Sequence, residues 1–98
     1  MIKPSIITLC GSSRFKDEFI ETNRMLTLQG YVVLSICLSD KPLTESERRI
    51  CDRVHRHKID MSAAIMVINK DGYIGKSTRE EIQYAKDHNK VIYYMEKI

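Results

Sequence analysis

Four short β-prone runs, Ser5–Cys10, Tyr31–Ile36, Ala64–Asn69 and Val91–Met95, are separated by three stretches long enough to be helices. That alternation leaves few folds open. Each run is short, apolar and β-branched, which suits a strand buried in a parallel sheet. The first intervening stretch, Arg14 to Gln29, carries Phe15, Phe19, Met25 and Leu26 at roughly helical spacing, with Ile20 or Leu28 on the flank, and Gly30 stops it. The second opens on a capping-box pattern, Thr44-Glu45-Ser46-Glu47, and runs to about Met61, with Ile50, Cys51, Val54 and Met61 as its predicted inner stripe. The third spans about Ser77 to Asn89. Strand and helix in strict alternation predict an α/β fold: a parallel sheet with right-handed crossovers and helices on both faces. Four strands connected in this way take the spatial order 2-1-3-4.

This is a small flavodoxin-like three-layer sandwich, and its topology nominates a site. The strand order reverses between the first and third strands, and ligands of open α/β sheets bind beyond the carboxyl ends at such a reversal. Two segments occupy that position: Gly11-Ser12-Ser13-Arg14 and the loop from Asn69 to Thr78. Gly11 allows a tight turn and close approach of backbone to a ligand. Ser12, Ser13 and Arg14 bring amides, hydroxyls and a guanidinium to a helix start, a combination suited to phosphate. A plain N-cap by Ser12 or Ser13 is the alternative, and the two uses are compatible. In the second segment, Ser77 with Glu80 and Thr78 with Glu81 each match a capping box. If Ser77 caps, Glu80 is engaged and Glu81 is free to face the crevice.

Length and composition set the outer bounds. A chain of 98 residues is one domain, 1–98, with a modest core, and domains of this size often gain stability by self-association. Its net charge of +3 is too small a surplus for a duplex nucleic-acid binder but suits a small anionic ligand. No run approaches the roughly 18 apolar residues of a membrane span, and Met1–Pro4 leads into the first strand without a signal-type apolar region. Cys10, Cys37 and Cys51 are odd in number and lack metal-type spacing, and Cys10 and Cys51 read as small core residues. A cytoplasmic protein with neither metal nor cofactor is expected.

Cys10-Gly11-Ser12 after the first strand, and Glu81-Ile82-Gln83-Tyr84-Ala85 after a Gly/Ser loop, resemble the nucleoside 2-deoxyribosyltransferase family and its relatives, the deoxynucleoside 5′-monophosphate N-glycosidases. The similarity runs from about Ile6 to Met95. It is closest to a compact branch with His-x-x-Lys-Ile-Asp before the third strand, here His55, Lys58, Ile59 and Asp60, and Gly-Tyr-Ile-Gly-x-Ser-Thr after it, here Gly72 to Thr78. The resemblance implies that Glu81 is a nucleophile attacking C1′ of a 2-deoxyribosyl group, and that Gly11, Ser12, Ser13 and Arg14 hold a 5′-phosphate. Asn69, Gly75 and Ser77 would shape the sugar site. It also implies a homodimer or larger assembly, with a nucleoside or nucleotide as the small-molecule partner. Thr8 stands where the family has an aromatic residue, and Arg56 where it has an aspartate, so His55 becomes the expected auxiliary polar group. A non-catalytic nucleotide- or ADP-ribose-binding module is the competing expectation. A small interaction protein whose glycines serve only turns is the third.

Overall fold

The computed structural model describes residues 5–97, so the reading of Met1–Pro4 lies outside the described residues. Strands β1 (Ile6–Gly11), β2 (Val32–Leu34), β3 (Ala64–Ile68) and β4 (Val91–Tyr94) alternate with helices α1 (Lys16–Leu28), α2 (Glu45–Met61) and α3 (Lys76–Asp87). Short 3-10 turns at Ser13–Phe15 and Lys70–Gly72 precede α1 and follow β3. All strand pairs are parallel and the order is β2-β1-β3-β4, as the alternation predicts. The longest ladder joins the two central strands, from Ile7 beside Ala64 to Gly11 beside Ile68.

Side-chain alternation along the central strands builds two cores. Ile7 and Leu9 of β1, with Ala64 and Ile68 of β3, pack against Phe19 and Leu26 of α1. Cys10, Ile65 and Val67 point the other way and pack with Ile59 of α2 and with Ile82 and Ala85 of α3. One face therefore carries α1 and the other carries α2 and α3. Among the described residues, no helix is long and apolar enough to cross a membrane.

Three details differ from the sequence reading. β2 is an edge strand three residues long with Val32 exposed, rather than a six-residue strand buried on both faces. It pairs only with Ile6–Thr8, and beyond Leu34 the backbone turns to other partners: Ser35 carbonyl accepts from Lys58 Nζ at 2.6 Å. In α1, Met25 is exposed and Thr22 takes the buried place between Phe19 and Leu26. In α2, Ile50, Val54 and Met61 are exposed, and the face turned to the sheet carries His55 and Ile59, with Cys51 half-buried. The predicted capping box at the start of α2 is present: Glu47 amide donates to Thr44 Oγ1 at 3.1 Å and Thr44 amide to Glu47 Oε1 at 2.8 Å.

Candidate functional site

The carboxyl ends of β1 and β3 open into a cavity of about 530 Å³, within the range of about 300–1,000 Å³ typical of small-molecule sites. Its walls come from all three βα connections. The turn after β1 supplies Gly11, Ser12 and Ser13, and the loop after β3 supplies Gly75, Lys76 and Ser77. Glu81 of α3 and His55 of α2 close the inner end. Seven of the nine residues singled out from sequence therefore line one cavity: Gly11, Ser12, Ser13, His55, Gly75, Ser77 and Glu81.

Two do not. Asn69 is fully buried and committed to the chain beyond β4: its Nδ2 donates to Glu96 carbonyl at 3.0 Å, and its Oδ1 accepts from Glu96 amide at 2.8 Å. That pairing fixes the exit of β3 and leaves no group for a sugar. The exposed Arg14 stacks over the Tyr73 ring, with its guanidinium carbon 4.2 Å from the centroid, and Nη2 donates to Tyr73 Oη at 3.3 Å. This stacking holds it outside the cavity lining. The cations that do line the cavity are Arg48 and Lys76.

Gly11 is required by packing. A Cβ there would lie 2.9 Å from Ile68 carbonyl oxygen and 3.1 Å from Ile68 Cβ, and the residue has φ +156°. Ser12 caps the following 3-10 turn, its Oγ accepting from Arg14 amide at 3.3 Å. The cap takes a lone pair of Ser12 Oγ and leaves its O–H free to donate; Ser13 is on the wall beside it. At α3, neither predicted capping box forms. The helix starts at Lys76 with Gly75 as an N-cap that offers no side chain, which places Ser77 and Thr78 inside the first turn and Glu81 in the second. The uncapped amides of that first turn bring partial positive charge to the cavity. Glu81, a turn further in, gains less from the helix dipole than first-turn placement would give.

The inner end of the cavity is a three-residue cluster. His55 is buried, and its Nε2 lies 3.4 Å from Glu81 Oε1 and 3.3 Å from Cys10 Sγ. The Glu81 side chain is 18% exposed, toward the cavity. Cys10 is fully buried; burial pushes its thiol well above the usual range, and the Glu81 charge and hydrogen bonding to that carboxylate push it further. The thiol thus stays protonated and is a poor nucleophile. His55 Nε2 faces both Cys10 and Glu81, while Nδ1 has no hydrogen-bond partner among the described residues. His55 sits behind the carboxylate, a place that suits orienting Glu81 better than protonating a ligand out in the cavity.

Sequence reading missed Cys10, Arg48, Cys51, Asp52, Tyr73 and Lys76 as site residues. Arg48, Asp52 and His55 were findable, because they follow at intervals of four and three on one face of α2. Asp60, at the far end of α2, is away from the cavity: it accepts from Tyr84 Oη at 2.6 Å and lies 3.8 Å from His57 Nδ1, the local pairing its spacing suggests. Thr8 is likewise structural, its Oγ1 donating to Lys58 carbonyl at 3.1 Å. Cys10, two residues on and on the same face of β1, is the strand residue clustered with His55 and Glu81. No protein-family model, curated protein or solved structure matches the chain.

Proposed function

We propose that this protein cleaves or transfers the N-glycosidic bond of a 2′-deoxynucleoside or its 5′-monophosphate, with Glu81 as the nucleophile. The observation that carries the proposal is a partly exposed carboxylate, with His55 Nε2 3.4 Å behind it and Cys10 in the same cluster, on the wall of the cavity that the serine turn also lines. A sugar seated there turns C1′ toward Glu81. As the bond to the base breaks, its electron pair leaves on the base nitrogen and positive charge grows on the sugar. Glu81 neutralises that charge and forms the glycosyl ester, which water or a second base then opens. Asp52, on the same wall, is a carboxyl group available to exchange a proton with the departing base. Lys76, Ser13 and the uncapped first turn of α3 favour a 5′-phosphate.

The test is to incubate the chain with a panel of deoxynucleosides and their monophosphates and to follow free base by chromatography. Base release is expected from at least one substrate, and Glu81→Ala should lower it by on the order of 10³-fold or more. Thermal protection by monophosphates beyond that by nucleosides would support the phosphate site. Nucleotide binding without base release would overturn the catalytic role and leave a nucleotide- or ADP-ribose-binding module. That second reading is favoured by the contacts that already occupy Glu81.

A further inference from the structure

The geometry points to a binding site for a thiophilic divalent cation, Zn²⁺ by its chemistry, formed by Cys10 Sγ, His55 Nε2 and Glu81 Oε1. These atoms come from three separate elements, β1, α2 and α3, and all lie within 4.8 Å of one another. With Zn–S of about 2.3 Å and Zn–N or Zn–O of about 2.0–2.1 Å, a tetrahedral ion has an S-to-N edge of about 3.6 Å and an N-to-O edge of about 3.3 Å. The corresponding separations here are 3.3 and 3.4 Å. Those two edges match to within a few tenths of an ångström, and the third, between Cys10 Sγ and the Glu81 carboxylate, lies within 4.8 Å, so side-chain adjustment closes the set around an ion.

The donor set narrows the choice of ion. One thiolate, one imidazole and one carboxylate suit Zn²⁺ and its spectroscopic substitute Co²⁺, whereas Mg²⁺ and Ca²⁺ favour oxygen ligands alone. The thiolate and carboxylate together balance the ion's charge. On binding, a metal–sulfur bond forms as the Cys10 S–H bond breaks, and the proton leaves to solvent. The His55 ring binds through the Nε2 lone pair and carries its proton on Nδ1. Because Nδ1 has no partner among the described residues, the usual outer hydrogen bond is missing, and affinity should fall about 10–100-fold below that of a site that has it. Glu81 opens to the cavity, so ions enter from that side and the fourth position faces it. Three protein ligands with one open position is the pattern of catalytic rather than structural zinc.

The site does not rest on the glycosidase proposal, and its test reads the metal directly. The reduced chain, stripped with a chelator, is titrated with Co²⁺ in a Cys37→Ser, Cys51→Ser background, which removes the other two thiols. One equivalent should bind, with a thiolate-to-cobalt band in the near ultraviolet and the visible bands of a tetrahedral ion. Cys10→Ser should abolish the thiolate band, and His55→Gln and Glu81→Gln should each weaken binding at least tenfold. If a variant fails to fold, X-ray absorption on the Zn²⁺-loaded background protein decides: one sulfur at about 2.3 Å with nitrogen or oxygen neighbours at about 2.0 Å is expected. No saturable binding, a thiolate band that survives Cys10→Ser, or a zinc shell without sulfur overturns the site. Base release by the metal-free chain bears only on the glycosidase proposal.

Discussion

Replacing Gly11 by alanine separates the two demands made on the turn that opens the cavity. The added Cβ meets Ile68 carbonyl oxygen at 2.9 Å, Ile68 Cβ at 3.1 Å and Phe19 Cζ at 3.3 Å. A phenyl ring can tilt, but a carbonyl inside the β1–β3 ladder cannot swing away without breaking that ladder. Overpacking a well-fitted interior costs about 1–3 kcal/mol, and a backbone obstacle belongs no lower than the middle of that range. Positive φ adds about 1–2 kcal/mol for a residue with a Cβ. Gly30 supplies the calibration, since it has φ +95° and nothing within 4 Å of a built Cβ. Gly30→Ala should therefore show the backbone term alone, about 1–2 kcal/mol, and Gly11→Ala about 2 kcal/mol more. In a domain of this size that excess lowers Tm by about 8–16 °C. Parallel urea and thermal unfolding followed by circular dichroism reads both variants against the parent chain. Equal losses in the two, or a smaller loss at Gly11, would refute the close approach of β1 to β3 as the reason for glycine there.

Three further outcomes are expected. Asn69→Ala leaves two backbone groups of Glu96 without partners and should cost about 2–4 kcal/mol in urea unfolding, while ligand binding per folded molecule stays near the parent value. Thiol labelling of the native chain should be fast at the exposed Cys37, slower at Cys51, whose thiol is raised by its neighbour Cys37, and absent at Cys10 until unfolding. Tyr84 is raised above the ordinary phenol value by its hydrogen bond to Asp60, by burial and by the Asp60 charge. Raised folded affinity for the proton means a stabilising contribution that is complete below the unfolded value and lost as pH rises through the folded one. Spectrophotometric titration of Asp60→Asn should accordingly show that phenol ionising at lower pH than in the parent, with a weaker loss of stability in the alkaline range.

How far the sequence spoke depended on the kind of signal. Alternation of strand and helix was enough for the sheet order, because crossover handedness leaves few topologies, and the order in turn located the crevice between β1 and β3. Glu81, Ser13 and Gly75 followed from that placement. The inner face of α2 did not. Hydrophobicity selects Ile50, Val54 and Met61, all exposed, together with Cys51, while the inward stripe is the half-buried Cys51 with the buried His55 and Ile59 at intervals of four. A helix that lends its buried face to a site carries polar groups there, so the most apolar stripe is the wrong one to follow. Asn69 was misread for a related reason: an amide at the end of a strand serves a passing backbone as readily as a ligand, and only the path of the chain after β4 decides between them. At α3, two matching capping boxes suggested an N-terminus at Ser77 or Thr78, yet Gly75 takes the cap and the helix starts at Lys76. Local patterns of hydroxyl and carboxylate cannot weigh that one-residue shift.

Cys10 belongs both to the packed layer beneath α2 and α3 and to the polar cluster that Glu81 presents to the cavity. The molecule thus has no cushion between scaffold and chemistry on that side. Ile59 and Ile82 pack in the same layer as Cys10, whereas Leu26 lies across the sheet from it. The two hydrophobic layers thus reach the cavity by different routes: one through Ile68 and Phe19 behind Gly11, the other through Cys10 behind Glu81.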